Sequence, residues 1–520
     1  MTRRALFLRI LGGLSLSAAS AGLLLLSLPP YGLWFFALIG LAPMLFAQYR
    51  LLPLRLANLA PAIGIGGFIG LVILSHFPTA LIDRSPFLKF LTPGVMLIVY
   101  LTESGSRRFH ERTGFRWFVL EGAVIWVGIE LIRGLIVGTG GFIGYAFYRV
   151  PVVVQPISIF GIYGLSWLAM LINYALSLLV IALYDQFTNN HVSPTINASN
   201  ASFDSAASAH AERNEVQSKD ALDAPPRMPE KVTAPLPVAR RWSIGLGVIA
   251  LIWIALGAVL YQTPATPRVT VAAIQPYRPT VPNLARGTRD AARKGAQIVV
   301  WPEGALNYDP RQRNSDVFQR LAQENNVYLV IGFGLRAPEG LYNQVVVVSP
   351  QGEFLGTYGK AHPVSYAGET SLAHDGYPVF DTPAGKLGTI ICYDLTFADT
   401  ARGTARNGAQ LIAAPSNDWP ELYDKEYIMP MYRAIENRVA LVKADTQFDS
   451  VIVDPYGRIL SQASSAQGAE ALVLAEVPIG TADTPQVVLG DWVGWLCLIG
   501  LIVFMLAGPI GKWWQRVRRE

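Results

Sequence analysis

Two kinds of apolar pattern divide the chain. The first is long and nearly unbroken. It predicts membrane helices at Ala5–Ser27, Leu33–Gln48, Ala57–His76, Phe90–Thr102, Trp117–Val137, Pro156–Tyr184, Trp242–Tyr261 and Val487–Ile510. A helix needs about 20 apolar residues to cross the hydrocarbon core, which gives about eight spans. The second pattern lies between 263 and 484, where short β-branched runs alternate with amphipathic segments. Strands are predicted at Val269–Ile274, Ile298–Trp301, Val327–Phe333, Val345–Val348, Leu387–Cys392, Leu411–Ala414, Ala440–Val442, Val451–Val453 and Leu472–Val477. Helices are predicted at Leu284–Lys294, Val317–Asn325 and Tyr427–Asn437. Alternation of this kind implies layered α/β packing. The expected architecture is a polytopic α-helical membrane bundle joined to an α/β domain.

A third stretch, Asp185 to Val238, carries neither pattern. It is rich in Ser, Ala, Asn and Pro and poor in aromatics, so it cannot bury a core and is expected to be a disordered linker. The domains are therefore expected at 1–184 (six membrane helices), 185–241 (linker), 242–262 (a seventh), 263–484 (the α/β domain) and 485–520 (an eighth with a basic tail).

Composition sharpens this division. Of 520 residues, 52% are hydrophobic and 15% charged, which excludes an ordinary soluble enzyme. The net charge of +5 sits in patches beside the apolar runs, and this points to membrane topology rather than nucleic-acid binding. Arg3 and Arg4, then Arg50 and Arg55, then Arg107, Arg108, Arg112 and Arg116, then Arg240 and Arg241, and last Lys512, Arg516, Arg518 and Arg519 all fall on one side of such a layout. Both termini and the linker are then cytoplasmic, and the α/β domain lies outside the cytoplasm. The start, Thr2-Arg3-Arg4 before an apolar run with Ala-rich Ser17 to Ala21, also fits a signal peptide. The run continues through Leu26 into a second span, so an uncleaved anchor is favoured. Two cysteines give no disulfide framework, and six histidines include no paired metal spacing. No metal and no cofactor are expected.

The candidate chemistry sits at strand ends. Cys392 closes the apolar run from Leu387, and a polar segment with helical spacing, Leu395 to Asn407, follows at once. A nucleophile where a strand turns into a helix is held rigid and exposed to a cleft. Glu303 ends the run Val299–Trp301, and Lys360 follows Tyr358-Gly359. A thiol needs a base to become the attacking thiolate, which Glu303 can supply. Lys360 and the backbone N–H of Tyr393 can stabilise an oxyanion. In the predicted fifth span, Glu130 and Arg133 stand i, i+3 and can form a structural ion pair or meet a lipid headgroup. The Gly-rich stretch from Gly138 to Tyr145 can open a path for a lipid tail.

Glu, Lys and Cys in that order, each just past a strand, resemble the triad of the carbon–nitrogen hydrolase (nitrilase) superfamily. The chain as a whole resembles a membrane branch of that superfamily, the apolipoprotein N-acyltransferases. The resemblance rests on Leu28-Pro-Pro-Tyr31, Glu130-Leu-Ile-Arg-Gly134, Phe160-Gly-Ile-Tyr-Gly-Leu165, Trp301-Pro-Glu303, Leu341-Tyr-Asn343, Gly359-Lys360, Gly368-Glu369, Ile391-Cys-Tyr-Asp394, Ser416-Asn-Asp-Trp419 and Gly490-Asp-Trp492. It implies a four-layer α-β-β-α sandwich above a membrane bundle. It implies transfer of an acyl chain from a phospholipid, through a thioester on Cys392, to the N-terminal amine of a diacylated lipoprotein. It also implies a monomer in a bacterial inner membrane with its catalytic domain in the periplasm. Glu369 would orient Lys360 and Glu303, while Asn343, Trp419 and Asp394 would contact substrate. Two other classes stay open: a membrane-tethered amidohydrolase, and a non-catalytic lipid or lipoprotein binding module. An intact Glu303, Lys360 and Cys392 set argues against the latter.

The charge clusters make the layout testable. A reporter active only outside the cytoplasm is expected to be active when fused after Pro264 and silent when fused within Asp185–Val238. The reverse pattern would overturn the topology.

Overall fold

The computed structural model describes residues 2–77, 79–103, 105–204, 232–262, 266–338, 340–365, 368–370, 376–423 and 425–517. The central part of the expected linker, 205–231, and the C-terminal 518–520 lie outside the described residues. Helix α1 (Arg3–Ser27) leads into the helical run Leu54–Leu74, then α2 (Phe118–Val137), α3 (Ile157–Asp204) and α4 (Leu236–Leu260).

The described helices match the expectation of eight spans only in part. Among the described residues, four helices are long and apolar enough to cross a membrane: α1, Leu54–Leu74, Ile157–Asn190 within α3, and α4. Phe36–Leu51 and Trp492–Leu506 are apolar but shorter. The expected fourth span is a helix of only 12 residues, Leu91–Thr102. Helix α2 has 20 residues but carries Glu121, Glu130 and Arg133. These two acids are buried. Glu130 accepts from Trp126 Nε1 and from Ile143 N, each at 3.0 Å. Arg133 donates to Gly140 O at 2.8 Å. Both charges thus hold the loop that follows α2, and among the described residues no Glu130–Arg133 ion pair forms.

Helix α3 also runs on to Asp204, past the expected boundary at Tyr184. Arg50 was counted among the topology-setting arginines, yet it is buried and donates to Asp185 Oδ1 at 2.6 Å. Asp185 Oδ2 accepts from Ala234 N at 2.9 Å, so one ion pair clamps together the chain entering and leaving the linker.

The remainder of the chain is a sandwich of two sheets. Its strands are β1 (Arg268–Gln275), β2 (Ile298–Val300), β3 (Tyr328–Ala337), β4 (Gly340–Val348), β5 (Phe354–Gly359), β6 (Glu369–Thr370), β7 (Val379–Thr382), β8 (Gly385–Thr389), β9 (Leu411–Ser416), β10 (Ala440–Asp445), β11 (Asp449–Val453), β12 (Ile459–Ser464) and β13 (Ala471–Pro478). One sheet has the order β13-β1-β2-β3-β4-β5 with β6 beside β4, and the other has the order β12-β11-β10-β9-β8-β7. Helices α5 (Val281–Arg293) and α6 (Ser315–Asn325) cover the first sheet, and α7 (Ala398–Arg406) and α8 (Ile428–Asn437) cover the second. A C-terminal helix, Trp492–Val517, closes the fold.

Period-2 alternation explains the layers. In β1, Val269, Val271 and Ala273 enter the core between the sheets, while Ala272 and Ile274 enter the core under α5 and α6. Val300, Val330 and Val345 follow the first set, and Val299, Leu329 and Val346 the second. The inter-sheet core is continuous with that of the membrane helices, through Tyr432 and Ile428 of α8 to Phe142 and Ile162.

Polar contacts fix the same junction. Arg433 of α8 is fully buried and donates to Leu395 O (3.1 Å), Thr139 Oγ1 (2.8 Å) and Tyr145 OH (2.8 Å), besides its ion pair with Glu436. Glu436 in turn accepts from Ile162 N at 3.0 Å. Gly138 adopts φ +79°, and a Cβ there would lie 2.9 Å from Thr396 Cβ, so glycine permits this close approach.

Removing Arg433 strands a buried carboxylate. Arg433→Met is expected to destabilise the protein by about 3–5 kcal/mol. Thermal unfolding in detergent would measure it, and a loss below about 1 kcal/mol would reject the docking role of Arg433.

Candidate active site

The functional side chains arrive from the same end of both sheets. Beyond β2, Trp301 N still donates to Val330 O at 2.8 Å, and Pro302, with no N–H, ends the ladder. Glu303 N then donates to Ser416 O at 3.3 Å, which joins the first sheet to the end of β9 in the second. Lys360 stands directly after β5, its N–H bonded to Asn343 O at 2.9 Å. Glu369 opens β6 opposite Leu341.

Lys360 is 2% exposed, and its ammonium is shared. Its Nζ donates to Glu303 Oε1 at 2.8 Å and lies 2.9 Å from Glu369 Oε2. Asn343 Nδ2 donates to Glu303 and, at 3.0 Å, to Glu369 Oε1. Val364 N donates to Glu369 Oε2 at 2.7 Å. Glu369 thus bridges Lys360 and the loop that follows it. Asn343, expected to touch substrate, instead links the two carboxylates.

Burial alone would lower the pKa of Lys360, but Glu303, Cys392 and Glu369 outweigh it and hold the ammonium well above its ordinary range. Lys360 therefore stays charged and serves as a fixed cation, not as a base. Burial raises Glu303 above the usual carboxylate range despite Lys360. Burial and then the Glu303 charge push the Cys392 thiol well up. The resting pair is a neutral thiol beside a carboxylate with enhanced basicity, as a general base requires. Burial would raise Glu369 too, yet Lys360 and the Val364 N–H hold it below its ordinary value. Its favourable contribution to stability is accordingly complete above the unfolded pKa of about 4.3 and is lost as pH falls through the lower folded value.

Cys392 begins a tight 3-10 turn, Cys392–Thr396, with φ 43°. A non-glycine residue there costs about 1–2 kcal/mol, so the turn must be held. Asp394 holds it. Its carboxylate accepts from Ile391 N at 3.0 Å, from Tyr358 OH at 2.9 Å and from His362 N at 2.8 Å. Asp394 is fully buried, which corrects the expectation that it contacts substrate. Three donors occupy it, and it fastens the cysteine turn to the strand and loop on either side of Lys360. Tyr393 presents its N–H next to Cys392, and its hydroxyl donates to Val137 O at 3.1 Å, at the end of α2. Trp419 is half-buried in the segment after β9.

Two residues near the sulfur were given no role from the sequence, although Asp418 lies in the Ser416-Asn-Asp-Trp419 motif. Cys392 Sγ points at Asp418 Oδ1, 3.8 Å away, and Asp418 is ion-paired with the buried Lys443. A lysine inside the apolar run of β10 was the available sign. Among the described residues no group of acids, histidines and cysteines is suited to a metal ion.

A cavity of about 310 Å³ adjoins this end of the domain. Leu25 and Leu28 of α1 and its exit, Leu71 and Val72 of the second span, and Ile428 and Met429 of α8 line it. Tyr427 N donates to Asp449 Oδ2 at 2.9 Å, and Asp449 O accepts from Lys443 at 2.8 Å, so this wall is tied to the ion pair beside Cys392.

The family model described as carbon-nitrogen hydrolase matches residues 265–484, and the one described as apolipoprotein N-acyltransferase N-terminal domain matches residues 20–175. An apolipoprotein N-acyltransferase of Geobacter metallireducens is 25% identical over 539 residues, which cover 94% of this chain and 94% of the relative. A nitrilase of Pyrococcus abyssi is 32% identical over 217 residues, 37% of this chain and 80% of the relative. An omega-amidase of Xenopus laevis is 30% identical over 226 residues, again 37% and 80%.

Asp394 offers a test of how the turn is held. Asp394→Asn turns an NH2 toward backbone donors and is expected to cost about 2–3 kcal/mol. A lower unfolding temperature together with slower modification of Cys392 by a thiol reagent would bear this out. An unchanged unfolding temperature would show that the turn is held elsewhere.

Proposed function

Since the chain belongs to the carbon–nitrogen hydrolases and, within them, to the apolipoprotein N-acyltransferases, we propose that it moves an acyl chain from a membrane phospholipid, through a thioester on Cys392, to the N-terminal amine of diacylglyceryl-cysteine lipoproteins. The observation that carries this reading is the buried cluster of Glu303, Lys360 and Cys392, fastened to the membrane helices, together with a mainly apolar cavity whose wall is tied through Asp449 to the Lys443–Asp418 pair. A soluble amide would not need such a cavity; an acyl chain does.

In the first half-reaction Glu303 takes the Cys392 proton as sulfur attacks the ester carbonyl. The charge that develops on oxygen is met by Lys360 and the Tyr393 N–H. Glu303 then returns the proton to the departing lysophospholipid oxygen, and the acyl group stays on sulfur. Glu369 and Asn343 fix Lys360 and Glu303 in register for both steps. In the second half-reaction an amine displaces the thiolate. The four long helices, together with the shorter apolar helices, α2 and the C-terminal helix, form a multi-pass anchor in a bacterial inner membrane, with the catalytic domain in the periplasm and the protein acting as a monomer. The acyl donor and the lipoprotein acceptor never have to leave the bilayer surface.

Cys392→Ala and Glu303→Gln are each expected to lower turnover by roughly 10³-fold or more, and Lys360→Ala likewise. Near-normal turnover in any of the three would reject that residue's role. Purified protein given phospholipid without acceptor is expected to accumulate an acyl adduct on Cys392, seen by intact mass and released by hydroxylamine. A diacylated lipopeptide should discharge it and appear as N-acyl peptide. Steady release of free fatty acid without acceptor would make the protein a hydrolase and overturn the transferase reading.

A further inference from the structure

The acyl-transfer reading leaves one question about the second half-reaction. The acceptor's α-amine has a pKa of about 8 and reaches the site largely as an ammonium ion. It must be bound beside the thioester and lose protons there. Glu303 and Glu369 already share the Lys360 ammonium. Asp418 is placed differently. It is 8% exposed, and its backbone N–H is held by Asp445 Oδ2 at 2.8 Å. Its Oδ2 faces Lys443 Nζ, which Asp449 O also accepts from at 2.8 Å. Its Oδ1 faces Cys392 Sγ at 3.8 Å.

In the free enzyme that oxygen has the thiol as its donor. Acylation removes the S–H hydrogen. The reaction itself then strips a buried carboxylate oxygen of its donor, right beside the new thioester sulfur. Leaving such an acceptor unsatisfied is costly, and an N–H donor from a cation is the strongest replacement. We propose that Asp418 Oδ1 receives the ammonium group of the acceptor in the acyl-enzyme, so that the acceptor's binding contact is created by formation of the thioester.

The step balances as follows. The ammonium releases one proton, through Asp418, to solvent. The nitrogen lone pair forms the N–C bond to the acyl carbon, and the C–S bond breaks with its pair on sulfur. The second N–H proton passes through Glu303 to the Cys392 thiolate. The free enzyme is restored with the thiol again donating to Asp418. Lys443 balances one carboxylate oxygen throughout, so that only the oxygen facing sulfur changes partner.

The proposal rests on the acyl-transfer reading, and its test separates the two. Full-length protein in detergent is loaded with phospholipid, and the adduct on Cys392 is followed by intact mass. It is then discharged in parallel with a diacylated lipopeptide bearing a free α-amine and with hydroxylamine, a small neutral nucleophile that brings no cation. For Asp418→Asn the ratio of lipopeptide to hydroxylamine discharge rates is expected to fall roughly 10- to 100-fold. A ratio within about threefold of wild type, whether both rates hold or both fall, overturns the proposal, because a merely structural role moves both alike. If Asp418→Asn forms no adduct, Asp418→Asn with Lys443→Met removes both buried charges together and takes the same test. Failure of both variants to acylate would assign the pair to the first half-reaction and also overturn the proposal. Failure of the wild type to acylate would instead overturn the acyl-transfer reading.

Discussion

The site depends on one buried cation. Lys360 is the common partner of Glu303 and Glu369, two carboxylates that would otherwise repel each other and take up protons. Its charge lets both remain anionic in a place that water barely reaches. The strands meet at that point for the same reason. Glu303 leaves β2, Lys360 leaves β5 and Glu369 lies on β6, so one ammonium joins three segments of one sheet, and Asn343 on β4 links the two carboxylates. The second sheet contributes the cysteine and its own buried pair, Lys443 and Asp418. The sulfur therefore sits between two lysine–carboxylate pairs, one from each sheet.

The strained cysteine turn is held from two directions. Asp394 ties it to Tyr358 and His362, on either side of Lys360. The carbonyls that follow are used by the membrane part and by α8. Thr396 O accepts from Thr139 N and Thr139 Oγ1, each at 2.8 Å, and Leu395 O accepts from Arg433 at 3.1 Å. The loop between α2 and α3 is thus part of the scaffold of the nucleophile. The sequence pattern read the Gly138–Tyr145 stretch of that loop as a path for a lipid tail. Its glycines do allow unusual backbone, but the backbone is spent on close contact with the catalytic domain, and Gly141 and Tyr145 of the loop line the cavity.

Much of this was legible because burial leaves strong patterns. All nine expected strands exist, and the three expected helices stand within a few residues of their predicted ends. β5, β6, β7 and β12 were missed because they lie at or beside sheet edges and are short or interrupted by Gly, Thr, Asp, Gln and Ser, which blunts an apolar signal. The Glu303, Lys360 and Cys392 positions were readable because each sits just past a strand. What they touch was not readable. Asp394, two residues past the nucleophile, was expected to contact substrate, but the 3-10 turn folds its carboxylate back onto Ile391 N. Arg50 and Arg107 counted as positive charge beside apolar runs. Both are consumed locally, Arg50 by Asp185 and Arg107 by Gln48 O and Leu52 O. Long-range partners of this kind, more than a hundred positions apart for Arg50, leave no local trace.

The continuity of the core bears on why the catalytic domain is not simply tethered. In a tethered enzyme the domain would bury its own apolar surface and meet the membrane through a wet contact. Here helix α8 has one face on the second sheet and another against the membrane helices, and Arg433 and Glu436 are buried only because both parts are present. Cutting the chain to 265–484 would expose that ion pair and the apolar face of α8 together, which makes the isolated domain costly to keep folded. A thioester survives only where water is scarce. A domain that shares its core with the bilayer helices brings that scarcity with it, and a flexible tether would not.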